Sequence, residues 1–147
     1  MVQHILLPID GSDLSAAAAA QAVRLAQSCR AKIDVIYVLP AFLVSPFGSY
    51  GPEDEVARKQ FDENARNAAD GYFAPILQLA RDAGVACEAR AVDGEFAYES
   101  IIRTAQELCC DLIFMASHGR RGIAGVLMGS ETQKVLTHSR IPVLVYR

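Results

Sequence analysis

Short apolar runs alternate along the chain with stretches of helical period. The run Ile5-Leu6-Leu7-Pro8-Ile9-Asp10 closes on Asp10-Gly11-Ser12. That is the pattern of a buried strand followed by a turn. Pro8 has no N–H, so it belongs near the strand's end or at a locally unpaired position. Ser12 suits the N-cap of the next element. From Leu14 to Ala26 the sequence holds five consecutive alanines, with apolar residues at Leu14, Ala18, Ala22 and Leu25. This predicts a helix with a small-residue face that can lie close to a sheet.

Lys32 to Leu39 reads as a second strand, ended by Pro40. Residues 41–54 read as a long loop, broken by Pro46, Gly48 and Gly51. It carries Phe42, Leu43, Val44, Phe47 and Tyr50, which suit a lid over a crevice, a partner contact or a self-packed loop alike. Glu55 to Ala83 has a helical pattern, with candidate breaks at Gly71 and Pro75 and a stop at Gly84. Then follow a strand from Val85 to Val92, a helix from Phe96 to Leu108, a strand from Asp111 to Ala116, a loop from Ser117 to Gly129, a helix from Ser130 to Thr137 and a strand from Pro142 to Tyr146. Strand and helix alternate throughout, which specifies a parallel sheet covered by helices on both faces. The nearly unbroken apolar strands agree, because both faces of such a sheet are buried.

Composition narrows the class. The chain has 147 residues, 52% apolar and 21% charged, which fits one folded domain and excludes a disordered chain. A net charge of −3 disfavours a general nucleic-acid binder, which depends on surplus Lys and Arg. No apolar run approaches the roughly 20 residues of a membrane helix. The four cysteines, Cys29, Cys87, Cys109 and Cys110, form no C-x2-C pair and read as small apolar residues in helices and strands. Free thiols and an N-terminus unlike a signal peptide favour the cytoplasm.

Candidate chemistry concentrates at two strand ends. In open α/β sheets ligands bind at the carboxyl ends of strands, where strand order reverses. With that point between the first and fourth strands, Asp10 faces the loop after Ala116. The loop runs 13 residues from Ser117 to Gly129, whereas such loops usually take about 2–6. It contains Gly119, Gly122, Gly125 and Gly129, and Arg120 and Arg121 add positive charge. Ser130-Glu131-Thr132-Gln133 matches a capping box, with Ser130 as N-cap. The free N–H groups of such a helix start suit a phosphate. The plain alternatives are a shaped surface loop and an Asp10 that only closes its own turn. Neither a Gly-Lys-Ser/Thr phosphate loop nor a Gly-x-Gly-x-x-Gly fingerprint occurs. Ser117 beside His118 lacks an orienting carboxylate placed by sequence, so a nucleophile–base pair is disfavoured. His4 and His138 have no companion at metal spacing and read as surface residues, and Gly94 as a turn glycine.

These residues resemble the universal stress protein family, in its single-domain bacterial type, over essentially residues 1–147. The resemblance lies in Ile5 to Ser12, in Gly129-Ser130, and in Ile141-Pro142-Val143-Leu144-Val145. The family's ATP-binding subset carries G-x2-G-x9-G-[ST]. Here that register gives Ala116-Ser117-His118-Gly119, nine residues, then Gly129-Ser130, with Ala116 in place of the first glycine. The resemblance implies a three-layer α/β/α sandwich, Rossmann-like and of the adenine-nucleotide alpha-hydrolase-like kind, with a five-stranded parallel sheet in order 3-2-1-4-5. It implies ATP, or AMP or ADP, with magnesium as the accompanying cation. Asp10 and Val38, flanked by Pro8 and Ile9, would meet the adenosine end. Gly119, Gly129 and Ser130 would hold ribose and phosphates. Ala116, Ser117, His118, Arg120, Glu131 and Thr132 would line the same stretch. It further implies a homodimer paired through the last strand at Val143 and Val145. A slow ATP hydrolase and a dimeric partner-binding protein without nucleotide stand as the competing functions, the latter kept open by Ala116.

Overall fold

The computed structural model describes residues 1–42, 52–119 and 128–147. Its elements are β1 (His4–Ile9), α1 (Asp13–Cys29), β2 (Lys32–Val38), α2 (Pro52–Asp82), β3 (Cys87–Val92), α3 (Ala97–Glu107), β4 (Leu112–Ala116), α4 (Ser130–His138) and β5 (Val143–Tyr146). The five strands form one parallel sheet in the order β3-β2-β1-β4-β5. This is the α/β sandwich expected from the sequence pattern, in the strand order that the resemblance implies.

Two apolar cores lie on opposite faces of the sheet. On one face Ile5, Leu7, Ile33 and Val35 pack against Ala18, Ala22 and Ala26 of α1 and Phe73, Ile76 and Ala80 of α2. On the other, Leu6, Ile36 and Ile113 pack against Ile101 and Ala105 of α3 and Val135 of α4. The alternation of Ile5/Leu7 with Leu6 between the cores follows from the two-residue period of a strand. The alanine face of α1 is buried, and its small side chains let the helix sit close to β1 and β4. Ser12 caps α1 as expected, its hydroxyl accepting from Ser15 N at 3.1 Å.

Several sequence expectations are corrected. Helix α2 starts at Pro52, inside the expected 41–54 loop, and runs unbroken through Gly71 and Pro75. Its inner face, Ala69, Phe73, Ile76 and Ala80, is buried on the sheet, and that burial outweighs the roughly 3 kcal/mol cost of an internal proline. The third strand begins at Cys87, two residues late, because Val85 N still bonds back to Ala80 O of α2. Phe42 is half-buried, its ring tilted 60° against that of Phe61 with centroids 5.3 Å apart. Leu43, Val44, Phe47 and Tyr50 lie outside the described residues.

His4 is not a surface residue. It is 7% exposed, and its Nε2 lies 2.5 Å from Asp34 on the neighbouring strand. Asp34 is itself 3% exposed and takes a second bond, 2.5 Å from Arg90 on β3. The register explains this: two-residue periodicity brings His4, Asp34 and Arg90 to the face shared by Leu6 and Ile36. Three strands are thereby joined through one carboxylate at the end of the sheet opposite the crevice. Nor is Cys109 an apolar filler. It is exposed, with φ 54°, in the left-handed turn that ends α3, while Cys110 is buried.

Candidate functional site

The sheet separates where the sequence placed a crevice. Asp111 N donates to His4 O, so the carbonyl of His4 faces β4. By alternation Leu6 and Pro8 face β4 as well. Pro8 has no N–H to donate there, and the β1–β4 register stops at Ile5–Leu112 and Leu6–Ile113. On its other side β1 stays paired with β2 through Ile9–Tyr37. A crevice therefore opens between the carboxyl ends of β1 and β4, at the point of strand-order reversal.

One wall is the turn after β1. Asp10 Oδ1 accepts from Ser12 N at 3.0 Å, and Asp10 N donates to Ser15 Oγ at 3.3 Å. Gly11 has φ 77°, and the ring of Tyr72 from α2 occupies the space a Cβ would need. Tyr72 also packs on Tyr37 at the end of β2, with centroids 5.6 Å apart. The turn is thus fixed from within and covered by an aromatic pair. The other carboxylate oxygen of Asp10 lies where a Cβ on Gly119 would stand. The structure thereby brings together two residues 109 positions apart, both singled out from sequence.

The opposite wall is built from the end of β4 and the start of α4. Ser117 N donates to Tyr146 O at 2.7 Å, and Ser117 O accepts from Gly129 N at 2.7 Å. Thr132 Oγ1 donates to Ala116 O at 3.1 Å. A Cβ at Gly129 would stand 3.3 Å from His118 Cα, so the two backbones touch. The capping box is corrected: Gly129, with φ −69° and ψ 152°, is the N-cap, and Ser130 is the first helical residue. Gly129 supplies no side-chain cap bond, and the first helical bond runs from Gln133 N to Gly129 O. The N–H groups of Ser130, Glu131 and Thr132 therefore lack intrahelical acceptors. Helix α1 starts at the same edge of the sheet, but Ser12 occupies its end.

The remaining candidates are spread around these walls. Ile9 is buried in the core beneath α1, and Pro8 is partly exposed. Val38 ends β2 opposite Val92 and packs on the α3 side. Ser117 is 1% exposed, with its hydroxyl 3.1 Å from His118 Nδ1, so it is shielded from an incoming substrate. Glu131 turns its carboxylate to α3, accepting from Tyr98 N at 2.9 Å and pairing with Lys134 at 2.9 Å. Tyr98 also donates to Glu99, and that bond raises the phenol's pKa. Arg120, Arg121, Gly122 and Gly125 lie outside the described residues. Sequence reasoning missed Tyr72 and Ser15, since only the packing of α2 on the β1 turn and the turn's own bonding reveal them.

Comparison with known proteins agrees with this architecture. The family model described as the universal stress protein family matches residues 1–147. Universal stress protein YxiE of Bacillus subtilis is 32% identical over all of both chains. Among solved structures, a universal stress protein UspA of Lactobacillus plantarum superposes with a TM-score of 0.81, at 26% identity over 99% of this chain and 98% of that one. A universal stress protein solved in complex with cAMP superposes with a TM-score of 0.71, at 26% identity over 99% and 97%. With its matching strand order and an end-to-end match to the family model, the chain belongs to the universal stress protein family.

Proposed function

We propose that this chain is an adenine-nucleotide-binding regulatory module, taking ATP or its products ADP and AMP in the crevice between β1 and β4. The observation that carries this reading is the contrast between two helix starts at one edge of the sheet. That of α1 is closed by Ser12, while that of α4 is headed by a glycine with no side-chain cap. Amide hydrogens and the positive end of the helix dipole there suit phosphate oxygens. Asp10, across the crevice, offers a carboxylate that suits ribose hydroxyls or an adenine amino group. Gly119 supports the reading because a side chain there would displace that carboxylate. The cAMP bound by the related structure fits the same ligand class.

In this reading Pro8, Ile9, Asp10 and Val38 form the adenosine side. Ala116, Ser117, His118, Gly119, Gly129, Ser130, Glu131 and Thr132 form the phosphate side, with Arg120 on the intervening segment. Magnesium would accompany the triphosphate, whose oxygens bind it as readily as carboxylates do. Residues 1–147 act as one domain in the cytoplasm, paired as a homodimer along β5, which is an edge of the sheet.

Titration calorimetry with Mg-ATP, ADP, AMP and cAMP tests the reading. Saturable heat with at least one of them, and a matching rise in melting temperature, is expected. Neither heat nor thermal shift at millimolar concentrations of all four overturns it.

A further inference from the structure

We infer that Thr132 is a positioning residue for the phosphate end of the crevice: its hydroxyl replaces the hydrogen bond that β1 withholds from β4. The inference deepens the nucleotide-binding reading and rests on it.

The end of β4 leaves one carbonyl without a partner on a neighbouring strand. Ile113 N donates to Pro142 O and Ser117 N to Tyr146 O, so the odd-numbered amides of β4 face β5. Alternation turns Phe114 and Ala116 toward β1. The ladder to β1 has already ended at Leu6–Ile113. Asp10 N, which could have reached across, donates instead to Ser15 Oγ. Ala116 O is therefore left facing a gap, and a carbonyl without a partner costs free energy once shielded from water. Thr132 supplies that partner from the first turn of α4.

This bond does more than fill a gap. Thr132 is 3% exposed and stands at the third helical position, where its own N–H is one of the three without an intrahelical acceptor. Its hydroxyl ties that turn to the end of β4, while Gly129 N ties the N-cap to Ser117 O. The two bonds flank Ser130 and Glu131 and hold the amides in fixed register with Ala116, whatever the intervening segment does. Three amides that converge on one phosphate lose little entropy on binding if they are already held. Thr132 thus acts through the backbone of α4, with its hydroxyl turned away from the ligand.

The test compares the full-length wild type with Thr132→Val and Thr132→Ser by calorimetry with Mg-ATP, alongside thermal melts without nucleotide. Valine keeps the shape and removes the donor; serine keeps the donor. Thr132→Val is expected to raise Kd roughly fivefold to tenfold, the weight of one hydrogen bond, while Thr132→Ser stays within about twofold of wild type. ATP binding by Thr132→Val within twofold of wild type overturns the inference and leaves the nucleotide reading standing. So does a Thr132→Ser variant as weak as Thr132→Val, since volume and not the hydroxyl would then matter. A Thr132→Val variant too unstable to titrate, beside a fully binding Thr132→Ser, supports the hydroxyl's role. A wild type that binds no nucleotide overturns both.

Discussion

The carboxylate of Asp10 lies against the backbone of Gly119, in the space a side chain at 119 would need. Asp10 is also held by the Ser12 amide, so it has little room to retreat. Gly119→Ala should therefore push the carboxylate out of the crevice while leaving the cores untouched. We expect nucleotide affinity to fall about tenfold, equivalent to about 1.4 kcal/mol. The melting temperature should change by only a few degrees. Calorimetry and a thermal melt on the same variant check both halves.

Gly129 faces the opposite wall. A carboxylate introduced there would meet both the phosphate and the His118 backbone. Gly129→Asp should abolish nucleotide binding, and Gly129→Ala should weaken it less, since it adds bulk at 3.3 Å without charge. Equal binding by wild type and Gly129→Asp would place the ligand elsewhere.

The joint of His4, Asp34 and Arg90 gives a stability prediction separate from binding. Removing His4 takes away one of the two bonds to the buried Asp34 carboxylate and leaves the Arg90 bond in place, a loss of about 2 kcal/mol. His4→Leu should lower the denaturant midpoint accordingly. It should leave nucleotide affinity unchanged at a temperature where the variant is folded, because the joint lies at the far end of the sheet.

Two thiols contribute to the response to alkali. Burial pushes the Cys87 thiol from its ordinary 9.0 up to about 11, with Asp34 adding to the effect. Burial also raises Cys110, to about 12, again with Asp34 contributing. In the unfolded chain both ionise near 9.0, while in the fold they stay protonated well beyond it. Their stabilising contribution is thus complete below pH 9 and is lost as pH rises toward 11 to 12. Denaturant midpoints should fall between pH 8.5 and 10.5, and less steeply in Cys87→Ala/Cys110→Ala. The exposed Cys109 should be alkylated well before Cys110.

Strand β5 carries the association prediction. It is an edge of the sheet, with Leu144 exposed at 37%. Val145→Arg should convert a homodimer to monomers, read by light scattering after gel filtration. A wild type already monomeric at high micromolar concentration removes that part of the reading.

Much of this was legible in the sequence, for identifiable reasons. Apolar runs and alanine periodicity marked the elements because burial on two sheet faces demands them. Asp10, Gly119 and Gly129 stood out because strand ends and glycines signal close backbone approach. Three things escaped. His4 looked solvent-facing because its partner, Asp34, comes from another strand. Ser130 looked like the N-cap because Ser is the commoner choice there, while Gly129 serves and leaves the helix start open. Pro75 looked like a breaker because sequence alone does not weigh an internal proline against buried Phe73 and Ile76.

Pro8 has a consequence for how such a cleft could be erased or moved. The opening exists because one imino acid cannot complete a seam, so the cavity is made by subtraction from a regular sheet. Restoring an amide hydrogen, as in Pro8→Val, would let the two central strands zip further along. The cleft would become shallower.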